Sequence, residues 1–300
     1  MSAHDSPYLY HYTDCAGFKG IVESNTLWAT DIFFLNDSEE FRHGTHLLKE
    51  KLEERKNRSG QTTHPIYDSC LDVIRLVTGD CEGGSSLEEA MRVYVVSFSK
   101  EQKEQKEQKD LLSQWRAYCP KGGFALGFPS DALRDLAKNQ GFALERCLYS
   151  EADKARRINC FLDTLRDEAQ ASDQLATSQP YEAQEDRAWD TADKFFWKKM
   201  LPILPIFKHT GFSEEREWRL ISNLQESNHP GELRFRLGNG GLVPYKEITL
   251  IDDLWSDARI IIAPGPHKDR VKESVQQLLA WKRRAIPPSQ IQHSEIPYRS

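Results

Sequence analysis

No apolar run in this 300-residue chain approaches the roughly 20 residues needed to cross a bilayer, which excludes a transmembrane helix. The opening MSAHDSPYLY carries neither a basic region nor an apolar stretch, so no secretory signal is expected and the chain reads as cytoplasmic. Also missing are G-x-G-x-x-G, the G-K-[ST] phosphate loop, the G-x-S-x-G elbow and H-E-x-x-H. With them go the common nucleotide, hydrolase and zinc-protease signatures. The six cysteines (Cys15, Cys70, Cys81, Cys119, Cys147, Cys160) form no C-x-x-C pair. Without an export signal they read as free thiols, and none sits in a basic cluster that marks a nucleophile. His43 and His46 have helical i, i+3 spacing but no third ligand, so no metal is expected. Positive charge is short as well: 40 Lys and Arg against 46 Asp and Glu leave a net charge of −6. That balance argues against broad electrostatic binding to DNA or RNA.

What is present suffices for a core. Hydrophobic residues make up 39% and aromatics 10%, too much for a disordered chain. The length predicts one elaborated domain over residues 1–300, with a helical insertion at about 151–200. Strand and helix patterns alternate irregularly, without repeating βαβ units, and predict an α+β fold with a mixed or largely antiparallel sheet. The clearest buried strand is the β-branched run Val93–Ser99. Others are expected at Tyr8–Tyr12, Leu27–Thr30, Phe124–Phe128, Phe142–Tyr149, Glu215–Ser222, Leu233–Leu237, Val243–Ile248, Ala258–Ala263 and Ile291–Ile296. Thr13 or Asp14 can cap a first helix that Asn25 stops, and Asn36, Asp37 or Ser38 can cap the next. Long helices are expected at Glu151 to about Thr177 and at Glu182–Met200, the second broken by Leu201–Pro205. Glu101-Gln102-Lys103 repeats three times to Lys109. A three-residue period builds no lasting helical stripe, so this is a solvated segment, either a lid or a plain surface insertion.

Two segments carry the functional signal: Tyr10-His11-Tyr12-Thr13 and Glu215-Arg216-Glu217-Trp218-Arg219. Strand alternation puts Glu217, Arg219 and Ile221 on one face and Trp218 and Leu220 on the other. In the first strand Leu9, His11 and Thr13 oppose Tyr8, Tyr10 and Tyr12. Carboxylates and a guanidinium are costly to bury unpaired. The late strand is therefore either an exposed edge with a surface ion pair or one wall of a polar cleft lined by aromatics. Ser113–Tyr118 places Trp115 and Tyr118 three apart on one helical face beside Gln114 and Arg116, as core or as a platform for a ligand ring.

Leu9–Asp14, Leu27–Thr30, Leu35-Asn36-Asp37 with Glu40, Ser97-Phe98-Ser99, Ser113–Tyr118 and Glu215–Arg219 together resemble the ordered motifs of a bacterial family, DUF2971. That likeness implies no activity. More distantly, His on strand one, Ser-x-Ser on a central strand and Glu-x-Glu on a late strand resemble the ADP-ribosyltransferase superfamily. This resemblance implies NAD as substrate, without a metal, and an acceptor that is a protein or a nucleic acid, in a defence or toxin effector acting away from membranes. His11 would hold the nicotinamide ribose, Ser97 and Ser99 would support the site, and Trp115 or Tyr118 would stack on nicotinamide. Tyr12, Thr13, Arg116 and Arg219 would complete the binding set. Glu217 would contact the reactive ribose and stabilise positive charge on C1′, while Glu215 would orient or deprotonate the acceptor. His11, Ser97 or Ser99, and Glu217 are then expected around one pocket. The rivals are a non-catalytic nucleotide- or peptide-binding module and a carboxylate/metal nuclease-type effector.

Overall fold

A computed structural model of the chain describes residues 6–35, 38–58, 65–78, 92–100, 110–175, 182–195, 199–222, 233–238 and 240–297. Asn36, Asp37 and the Glu101–Lys109 repeat lie outside the described residues. The strands are β1 (Tyr8–Asp14), β2 (Thr26–Asp31), β3 (Tyr94–Lys100), β4 (Gly123–Pro129), β5 (Phe142–Arg146), β6 (Glu217–Ser222), β7 (Arg234–Gly238), β8 (Gly241–Thr249), β9 (Arg259–Ile262) and β10 (Ile291–His293). The helices are α1 (Cys15–Ser24), α2 (Ser38–Arg58), α3 (Ile66–Thr78), α4 (Leu112–Tyr118), α5 (Ser130–Lys138), α6 (Glu151–Leu175), α7 (Glu182–Phe195), α8 (Asp252–Ser256) and α9 (Lys268–Trp281). The protein is α+β, its sheet mixed because β9 and β10 run parallel while the other pairs are antiparallel. No helix among the described residues is long and apolar enough to cross a membrane.

Strand β3 organises the sheet. On one edge it pairs with β6 over Val95–Ser99. Its other edge carries two strands: β1 through Leu9↔Lys100 and Tyr10↔Ser99, and β2 through Thr30↔Val95 and Asp31↔Tyr94. Residues 96–98 have no strand partner on that edge, so the sheet splits there. One wing continues β1-β4-β9-β10, the other β2-β8-β7. Apolar alternation sets the two faces. Leu9, Phe98, Leu126, Leu220 and Ile260 pack on one side against α1, α5 and α9. Val95 and Ile221 on the other side meet α2, α3, α6 and α7, while Tyr10, Tyr12 and Ile261 meet Trp115 of α4. Each fully buried aliphatic side chain contributes about 1.5–3 kcal/mol, which is why the β-branched run of β3 lies at the centre.

Local capping follows the sequence. Asp14 Oδ1 accepts from the Gly17 amide at 2.7 Å, and Asn25 ends α1 in the left-handed region at φ 62°. The longer expectations need correction. Residues 210–215 form a 3₁₀ turn and Arg216 adopts φ 44°, so β6 begins at Glu217 and Glu215 lies outside it. Helix α7 is described over Glu182–Phe195 and residues 199–200 are again helical, residues 196–198 lying outside the described residues. Helix α8 carries no apolar period by which its five residues could be foreseen.

Candidate functional site

Glu217 opens β6 on the face shared with Arg219, and both are buried, at 4% and 0% exposure. Arg219 Nε donates to Glu217 Oε1 at 2.7 Å and its Nη2 to Oε2 at 3.1 Å, a two-pronged contact. Lys208, buried just after the 3₁₀ turn Leu201–Ile206, donates to the same Oε2 at 2.6 Å. Arg219 Nη1 also donates to the Pro205 carbonyl at 2.5 Å, tying that turn to the sheet. The Glu217 amide donates to the Tyr149 hydroxyl at 2.9 Å. Burial alone would raise the Glu217 pKa, but Arg219 and Lys208 outweigh it and hold it at about 2. Glu217 is thus an anion at neutral pH with both oxygens engaged.

Glu215 differs. Lys208 Nζ donates to its Oε2 at 2.8 Å, yet 18% of its side chain meets solvent. The turn at Arg216 carries it off the strand to the edge of the network, so it is the carboxylate with lone pairs open to an incoming group. Lys208 links the two, with its ammonium also 5.2 Å from the Phe212 ring centre.

Register decides which motif residues meet. Ser99 pairs with both Tyr10 and Glu217, and Ser97 pairs with Arg219, so these side chains share one face of the sheet. His11 lies between Tyr10 and Tyr12 and therefore projects from the opposite face, on the side of Phe98 and Trp218. Its ring centre is 5.8 Å from that of Phe98. The expected single pocket around His11, a serine and Glu217 is corrected accordingly: adjacent strands bear them, but the pleat separates His11 from the carboxylate. Instead Nδ1 of His11 lies 3.0 Å from the Ser97 carbonyl at the split in the sheet. A carbonyl only accepts, so Nδ1 carries the proton and Nε2 is the acceptor. Burial lowers the His11 pKa, the Ser97 contact working against that, which favours the neutral ring.

The aromatic helix also sorts itself. Trp115 is core: its Nε1 donates to Asp110 Oδ2 at 2.7 Å and its ring meets Tyr12 edge-on at 4.8 Å. Buried Tyr12 accepts from the Leu111 amide at 3.1 Å, so it braces α4. Tyr118 is 50% exposed, Arg116 is exposed, and Thr13 is half-buried. No group of three His, Cys, Asp or Glu placed to hold a metal occurs among the described residues. Sequence reasoning missed Lys208 and Tyr149. The signal for Lys208 was a lone cation at the end of the apolar run Ile203–Phe207, needing a carboxylate partner if that run was buried.

Residues 114–220 match the family model described as a protein of unknown function, DUF2971. The matched stretch runs from α4 to β6 and includes Trp115, Lys208, Glu217 and Arg219. No curated protein and no solved structure matches the chain.

Proposed function

We propose that the chain cleaves the nicotinamide–ribose bond of NAD and passes ADP-ribose to an acceptor, with Glu215 rather than Glu217 facing the reacting sugar. The observation that supports this reading is the strand order β6-β3-β1, which lines up Glu217, Ser99 and Tyr10 in one row beside the accessible Glu215. In the reaction the C1′–N bond breaks, its electron pair leaves with nicotinamide, and an acceptor nucleophile bonds to C1′ as its proton passes to solvent water. Glu215 stabilises the positive charge that develops on C1′. Lys208 and the anion of Glu217 fix Glu215 in place, as a supporting shell does for a reacting group. His11, turned to the opposite face of the sheet, takes no part in this reading. A role as a defence or toxin effector extends the same reading, with a protein or nucleic acid as acceptor.

The test is NAD consumption, and labelled ADP-ribose transfer to cell extract, by wild type and Glu215→Gln. Glu215→Gln is expected to lose on the order of 10²–10³ in rate with an unchanged circular dichroism spectrum. Full activity in Glu215→Gln refutes the residue assignment. A wild type inactive on NAD with every acceptor tried refutes the reaction. One observation favours a second reading, a non-catalytic binding module: both oxygens of Glu217 are already taken by protein cations.

A further inference from the structure

A cavity of about 680 Å³ lies between α4, the start of β4 and the loop from β9 into α9. Asp14↔Gly123 marks this end of β1, four residues beyond the Tyr10↔Gly127 pair. By strand rise that is roughly 13 Å along β1 from the Glu217 row, so the cavity is separate from the site described above. Leu112, Trp115, Phe124, Ile262, Val271 and Ile296 give it apolar walls. Its polar side is cationic: Arg116, Lys121 and Lys268 line it, and no carboxylate stands among the described residues that do. In a chain of net charge −6 that is a local inversion of sign. Neither Arg116 nor Lys121 has an ion-pair partner among the described residues, and Lys268 Nζ reaches the Ser294 carbonyl at 3.4 Å.

The backbone adds to the charge. Pro264-Gly265-Pro266 delivers the chain into α9, and His267 at its N-cap supplies no side-chain bond to the first turn. The amides of that turn therefore receive no bond from the cap side chain, and an anion is a suitable partner for them. Asp269, the acidic residue of that turn, is fully exposed with its carboxylate 3.7 Å from His293 Nε2, and it does not line the cavity. Apolar walls with a few convergent charges at one side, in a volume of several hundred Å³, are the composition of a small-molecule site.

We propose that this cavity binds a phosphate-bearing small molecule of nucleotide size, its apolar or aromatic body against Trp115 and Ile262 and its phosphate among Arg116, Lys121 and Lys268. The concave shape and the acidic remainder of the chain favour a small ligand over an extended nucleic acid, which needs a continuous basic track. Titration calorimetry of the full chain uses ADP, pyrophosphate, adenosine and a short single-stranded RNA as probes. ADP is expected to bind, pyrophosphate more weakly and adenosine not measurably, with ADP affinity falling as salt rises. Arg116→Glu/Lys121→Glu changes two exposed residues and spares the core. It is expected to weaken ADP at least about tenfold, equivalent to about 1.4 kcal/mol. Glu215→Gln is expected to retain ADP binding even where NAD cleavage is lost, which separates failure of this site from failure of the proposed reaction. Absence of ADP binding, ADP affinity unchanged in the double variant, or RNA binding tighter than ADP overturns the proposal.

Discussion

Replacing Glu217 by Gln keeps the shape of the side chain and removes the one anion shared by two buried cations. Arg219 keeps the Pro205 carbonyl and Lys208 keeps Glu215, while the charge that balanced both is gone. Removing one partner of a buried pair costs about 3–5 kcal/mol because the remaining charge is stranded. The surviving contacts place the loss near the lower end. Against a total stability of about 5–15 kcal/mol, this variant folds less well at neutral pH, and loss of activity in it says nothing about catalysis. The pH dependence gives an independent check. Because the folded-state pKa of Glu217 is depressed from 4.5 to about 2, its stabilisation is complete above pH 4.5 and fades as pH falls from 4.5 towards 2. The Gln variant has no such component, so the gap between the two proteins is full at pH 7 and narrows below pH 4.5. Urea unfolding followed by tryptophan fluorescence at pH 7 and pH 3 measures both quantities. A loss under about 1 kcal/mol at pH 7, or a gap equally wide at pH 3, refutes the structural role given to this carboxylate.

Two further outcomes are expected. Asp14→Ala removes the bond to the Gly17 amide at the start of α1 and should lower stability by about 0.5–2 kcal/mol, read as a shifted urea midpoint with unchanged slope; an unmoved midpoint refutes it. Burial pushes the thiols of Cys70 and Cys119 up to about 12, whereas Cys15 and Cys160 are exposed. Mass-spectrometric mapping after brief alkylation of the native protein at pH 7 should therefore find Cys160 and Cys15 labelled before Cys70 and Cys119; the reverse order refutes the burial assigned to them.

How far the sequence could be read depends on the range of the interaction concerned. Asp14 and Asn25 end α1 where their own backbone preferences put them, and Val95 and Val96 declare a buried strand without reference to any partner. Alternation along β1 and β6 likewise separates His11 from Tyr10, and Trp218 from Glu217, within each strand. What no single strand contains is the relation between them. Only the pairing of β3 with both neighbours aligns Tyr10, Ser99 and Glu217 on one face and turns His11 to the other. Slipping either register by one residue would reverse that alignment, because the side-chain period is two. The partners of Glu217 were hidden for a similar reason. Arg219 is its neighbour along the strand, but Lys208 arrives through the 3₁₀ turn Thr210–Glu215 and the left-handed Arg216, a path with no period to read. The composition of the chain required that a buried carboxylate find cations; which cation reached it, and that Glu215 stayed at the rim, was decided by tertiary packing of the 3₁₀ turn Leu201–Ile206 against β6, because charge pairing acts across space and leaves no spacing in the sequence.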